Sequence, residues 1–89
     1  MALQILNSGP DPEVIVQRIR EAIAEALPDA EIEVHCASPG HFAIRVTAAF
    51  FDGKSKLKQH QLVYAAITDL MSGDAAPVHA VDRLECRIP

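Results

Sequence analysis

A chain of 89 residues, 49% apolar and 22% charged, reads as one folded soluble domain with no room for a second. A domain this size buries roughly 60–65% of its unfolded surface, so one modest core is the limit and the enclosed pockets of ordinary enzymes are disfavoured. The net charge of −4 argues against a general nucleic-acid binder, because phosphate contacts need Lys and Arg.

Residues 1–10 show no periodicity and read as a loose arm, which leaves residues 11–89 as the domain. Asp11-Pro12-Glu13 is a helix start, with Asp11 as N-cap, proline at the first helical position and an acid in the first turn. Val16, Ile19, Ile23 and Leu27 follow as an apolar stripe, and Pro28 stops the helix. Glu31 to His35 alternates and reads as a short strand. Cys36 to Gly40 carries turn residues and reads as a loop. His41 to Thr47 is a second strand, with Phe42, Ile44 and Val46 on one face and His41, Ala43, Arg45 and Thr47 on the other. Phe50 to Ser55 is a tight turn anchored by its aromatics, in which Asp52-Gly53 supplies positive φ. Ser55 caps a second helix bearing Leu62, Val63, Ala66, Ile67 and Leu70, and Gly73 ends it at C′. Val78 to Ile88 is the last strand, with Leu84, Cys86 and Ile88 on one face and Arg83, Glu85 and Arg87 on the other.

Three short strands cannot stand with both faces wet. Laying the amphipathic helices on one face of the sheet gives an α+β two-layer sandwich, the architecture of the type II K-homology fold.

Charge is unevenly spread along this order. Residues 1–33 hold seven acids and two arginines, a local charge of −5. Residues 34–65 hold Arg45, Lys54, Lys56 and Lys58 against Asp52, giving +3. Three lysines so close together read first as a solvated turn, with a small phosphate or partner contact as the sharper alternative. No run of 18 apolar residues suits a membrane span, the start lacks the basic region of a signal peptide, and two cysteines are few for a secreted chain of this size. A cytoplasmic location is the expectation.

No Ser-His-Asp order, phosphate-cradling glycine loop or paired carboxylates stand out, so no enzymatic activity is expected. Cys86, on a face with Leu84 and Ile88, reads as a small buried hydrophobe. Cys36, in its expected loop, is available to a soft metal or an oxidant. Of the histidines, His35 and His60 read as surface or boundary residues, His41 flanks the Cys36–Gly40 loop, and His79 begins the last strand.

His41-Phe42 opening a strand, Phe51-Asp52-Gly53-Lys54-Ser55, Lys58-Gln59-His60-Gln61-Leu62-Val63-Tyr64 and Val78-His79-Ala80-Val81 stand in the order and spacing of the BolA-like family. From about Val14 to Pro89 the chain resembles it, with the acid-stress IbaG/YrbA branch the nearest in its strand start and Phe-Asp-Gly turn. The resemblance implies an α-β-β-α-α-β order, with a short helical turn before the second long helix. It also implies a non-enzymatic adaptor of iron–sulfur and redox homeostasis in stress response. Such an adaptor pairs with a monothiol glutaredoxin around a bridging [2Fe-2S] cluster, which the isolated chain does not bind alone. By family position His79 is one ligand, and the second comes from the region between the first two strands, where both His41 and Cys36 stand. The remaining ligands are the glutaredoxin cysteine and glutathione. A homodimer and a weak DNA contact are further partnerships within this expectation; a membrane is not. The alternative is a DNA-binding transcription regulator using Lys54, Lys56 and Lys58. Against it, Gly53-Lys54-Ser55-Lys56 has lysine where a K-homology Gly-x-x-Gly loop needs its second glycine.

Overall fold

The computed structural model describes residues 11–89; the expected arm over residues 1–10 lies outside them. Helix α1 spans Pro12–Ala26. Asp11 caps it, its Oδ1 accepting from the Glu13 N–H at 2.9 Å, with Pro12 in the position where a missing N–H costs nothing. The buried stripe is Ile15, Ile19, Ile23 and Leu27, so Ile15 belongs to it and Val16 is only partly covered.

Strand β1 runs Glu31–Ser38 and β2 runs His41–Thr47. A 3-10 turn at Ala49–Phe51 leads to α2, Lys56–Ala66, and α3, Thr68–Met71, follows. Ser55 caps α2 by accepting from the Lys58 N–H at 3.1 Å. The second helical stretch breaks at Ile67, whose N–H is shared between the Val63 and Tyr64 carbonyls. Strand β3 is Ala80–Arg87. It is shorter than the expected Val78–Ile88: Val78 is buried before it, its N–H donating to Leu70 O at 3.1 Å, and Ile88 is exposed beyond it. Among the described residues no helix is long and apolar enough to cross a membrane.

The sheet order is β1-β2-β3, with β1 antiparallel and β3 parallel to the middle strand. Phe42, Ile44 and Val46 are each 2% exposed or less and meet Ile19 and Ile23 of α1, Val63 of α2, Ile67, and Cys86 of β3 in one core. Both long helices therefore cover the same face, as the two-layer arrangement requires. Each outer strand is also held by a helix cation: Arg20 donates to Ile32 O of β1, and Lys56 to Cys86 O of β3.

The other face is polar. Arg45 bridges Glu33 of β1 (3.2 Å) and Glu85 of β3 (3.1 Å), and Arg87 pairs with Glu85 at 2.6 Å. Hydrogen bonds from Arg87 and then Arg45 hold the Glu85 carboxyl below its ordinary value.

Two outcomes follow from this packing. Ile19→Ala, at a fully buried site, should cost about 2–5 kcal/mol in urea denaturation, whereas Val14→Ala, at a 52% exposed site, should stay within about 0.5 kcal/mol of wild type. Because Glu85 has a depressed folded value, its contribution is present above the unfolded value near 4.5 and is lost as pH falls through the folded value. The stability gap between wild type and Glu85→Gln should be open at neutral pH, narrow as pH drops below about 4.5 and close in stronger acid. A gap independent of pH would mean that Glu85 acts by packing.

Candidate functional site

The site grows from the turn between β1 and β2. Pro39-Gly40 is a Pro-Gly pair of the type II kind, which needs positive φ at its glycine, and Gly40 has φ of 79°. The Gly40 carbonyl accepts from the N–H groups of His79 (2.9 Å) and Ala80 (3.0 Å), and so ties the hairpin to the start of β3. Gly40 also gives up its side-chain space to His79. A Cβ there would lie 2.6 Å from His79 Nδ1 and 2.8 Å from Cγ, closer than atoms can approach. His41 follows Gly40 directly and pairs in register with Ala80. The two histidines expected from sequence thus stand at adjoining strand ends at one corner of the sheet, His79 exposed and His41 half-exposed.

Asp82 joins them. His41 Nδ1 lies 3.1 Å from Asp82 Oδ1. The register along β2–β3 slips here, Phe42 pairing with Val81 but Ala43 with Arg83, which leaves Asp82 as the extra residue of a bulge. The bulge was visible in sequence as a break in phase: Val81 is apolar three residues before Leu84, where simple alternation requires two. The significance of Asp82 was not visible, because it rests on a partner 41 residues away.

Cys36 is placed differently from expectation. It lies in β1, which continues to Ser38, and not in a loop. Its register partner is the buried Phe42, so it shares the helix-covered face with Ile32 and Val34. Its thiol donates to Ser38 O at 3.2 Å, and Pro12, Glu13 and Val16 of α1 are its neighbours. His41 belongs to the opposite face, so strand alternation separates these two candidates. The residues Cys36-Ala37-Ser38 look like loop because of their types; an irregularity in pairing between Cys36 and Ser38 absorbs them into the strand. Among the described residues no group of three or more His, Cys, Asp or Glu side chains is arranged to hold a metal by itself.

Cys86 is inert by placement. It is 1% exposed, and burial pushes its thiol up, with the nearby Lys56 charge acting the other way. His35 is exposed on β1 and pairs in register with Ala43, and His60 is half-buried on α2.

The lysine cluster is largely committed within the fold. Lys54 donates to Phe50 O at 2.9 Å and lies 3.9 Å from the Phe50 ring centre. Lys56 holds the Cys86 carbonyl. Lys58 alone of the three makes no side-chain hydrogen bond or ion pair among the described residues. A single uncommitted lysine neutralises little phosphate, and the nucleic-acid reading is not favoured. The turn has another role that sequence did not reveal. Gln59, 4% exposed, donates from Nε2 to Phe51 O and Lys54 O and pins the turn to α2.

A family model described as BolA-like protein matches residues 26–87. Human BolA-like protein 1 is 33% identical, with 91% of this chain and 60% of its own length covered. The Bos taurus protein of that name is 34% identical, with 91% and 61% covered. Among solved structures, the BolA domain of SufE1 from Arabidopsis thaliana has a TM-score of 0.71 at 28% identity, covering 84% of this chain and 92% of that one. BolA1 from Mus musculus has a TM-score of 0.66 at 27% identity, covering 93% and 70%. Fold and sequence agree: the chain belongs to the BolA-like family. It spans about 60% of the length of the curated relatives it matches.

The close approach at the turn is directly testable. Gly40→Ala and Gly53→Ala both place a side chain at positive φ, 79° and 82° respectively, a strain of about 1–2 kcal/mol. Only at Gly40 does the new methyl meet His79, since nothing lies within 4 Å of Gly53. Gly40→Ala should lose at least as much stability as Gly53→Ala, and Gly40→Ala alone should displace the His79 ring resonances. Equal His79 shifts in both would remove Gly40 from the site.

Proposed function

We propose that this BolA-like chain is an adaptor that pairs with a monothiol glutaredoxin and supplies His41 and His79 to a shared [2Fe-2S] cluster. The observation that carries the reading is the corner itself: two accessible histidines at adjoining strand ends, beside a turn whose glycine leaves one of them its space. Neutral imidazole is an accepted replacement for thiolate on one iron of such a cluster. Two donors are half the set a cluster needs, so glutathione and a glutaredoxin cysteine complete it. The cluster, when bound, supplies redox or transferable iron–sulfur chemistry. This chain's part is to hold two nitrogen donors open to a partner on a rigid sheet edge. His41 is favoured over Cys36, which lies on the sheet face turned toward α1. The same choice supports placement near the acid-stress branch, whose strand start has histidine before phenylalanine, as at His41-Phe42.

Co-expression with a monothiol glutaredoxin, purification of the pair and visible absorption test the reading. His79→Ala and His41→Ala should each reduce cluster retention by more than the about 10–100-fold typical of losing an outer-shell partner, while Cys36→Ala stays close to wild type. Wild type with no cluster absorbance, or His79→Ala with an unchanged spectrum, sinks the assignment.

A further inference from the structure

The geometry points to Asp82 as a positioning residue that fixes which nitrogen His41 presents, making Nε2 the donor atom of this corner. The inference rests on the metal-binding reading above and deepens it. An ionised carboxylate only accepts hydrogen bonds, so the His41 nitrogen 3.1 Å from Asp82 Oδ1, Nδ1, must carry the proton. In the neutral ring the lone pair then belongs to Nε2, and the ring plane is held by the same bond. Histidines that ligate metals are commonly oriented by a carboxylate on the other nitrogen.

The placement of Asp82 is built into the strand. Without the bulge, simple alternation would send Arg83 toward the core face shared by Val81 and Leu84. The extra residue lets Asp82 and Arg83 both stay exposed, and Asp82, two residues beyond the register partner of His41, reaches the His41 ring. Both partners are close to half exposed, 44% and 49%, and a pair in that setting adds little to stability. Its contribution is to direction, and the fold tolerates its loss.

The test starts with the apo protein. Long-range proton–nitrogen spectra, recorded at about pH 8.5 where an ordinary imidazole is neutral, report the tautomer of each histidine. Wild type should show His41 protonated on Nδ1. Asp82→Ala should move His41 toward the Nε2–H form and leave His79 unchanged. Asp82→Asn, whose amide oxygen still accepts, should restore the Nδ1–H form. In the glutaredoxin complex, Asp82→Ala should lower cluster retention about 10–100-fold, with Asp82→Asn nearer wild type. Nε2–H on wild-type His41 overturns the inference, and so does a switched tautomer with undiminished cluster retention. A wild-type complex without any cluster brings down the functional reading instead, and the apo spectra still decide whether Asp82 sets the His41 tautomer.

Discussion

The middle strand is the constraint on which the other elements depend. Both neighbouring strands hydrogen-bond to β2, and both long helices bury side chains against the face made by Phe42, Ile44 and Val46. A one-residue slip would turn that face outward and bring Arg45 into the core. The register is fixed at the entrance to the strand, where Gly40 closes the hairpin with positive φ and accepts the first two N–H groups leading into β3. One residue therefore positions antiparallel and parallel pairings together. The histidine corner is a by-product of this arrangement, since the residues either side of the Gly40 contacts are the ones displayed.

Electrostatics reinforce the same scaffold. Arg45 stands in the middle strand between carboxylates of both neighbours, and Arg20 and Lys56 tie the outer strands to the helices. Cations that look from sequence like a surface patch are thereby drawn into the fold. An outer strand with unpaired polar groups invites pairing with another chain, and a long cationic side chain beside it discourages that. The local charge of +3 across residues 34–65 is thus largely structural.

Local signals were legible wherever the deciding atoms are neighbours in sequence. Asp11-Pro12 and Ser55 start their helices as their residue types demand, and the apolar alternation of β2 survives intact in its burial. Other features are set by pairing that residue type does not announce. Ser38 carries turn chemistry, but hairpin pairing with β2 draws it and Cys36 into β1. The stripe of α1 takes Ile15 ahead of Val16, because Ile15, Ile19, Ile23 and Leu27 follow one another at four-residue steps along one face. His41 and His79 were recognisable as candidates through family resemblance. The seat of the His79 ring depends on Gly40, and His41 pairs with Asp82, contacts that no local pattern encodes.

The corner differs from an enclosed active site in what it asks of a partner. Three successive N–H groups around His79, those of Val78, His79 and Ala80, are hydrogen-bonded, so the backbone beneath the imidazole is fixed although the side chain is exposed. His41 is anchored likewise by strand pairing and by Asp82. Donors held on rigid elements lose little freedom when a ligand arrives. In the proposed reading, that exposure leaves the remaining ligands to a partner docking at this corner. The interior of a domain this size is one hydrophobic core, and the candidate donors sit at its surface.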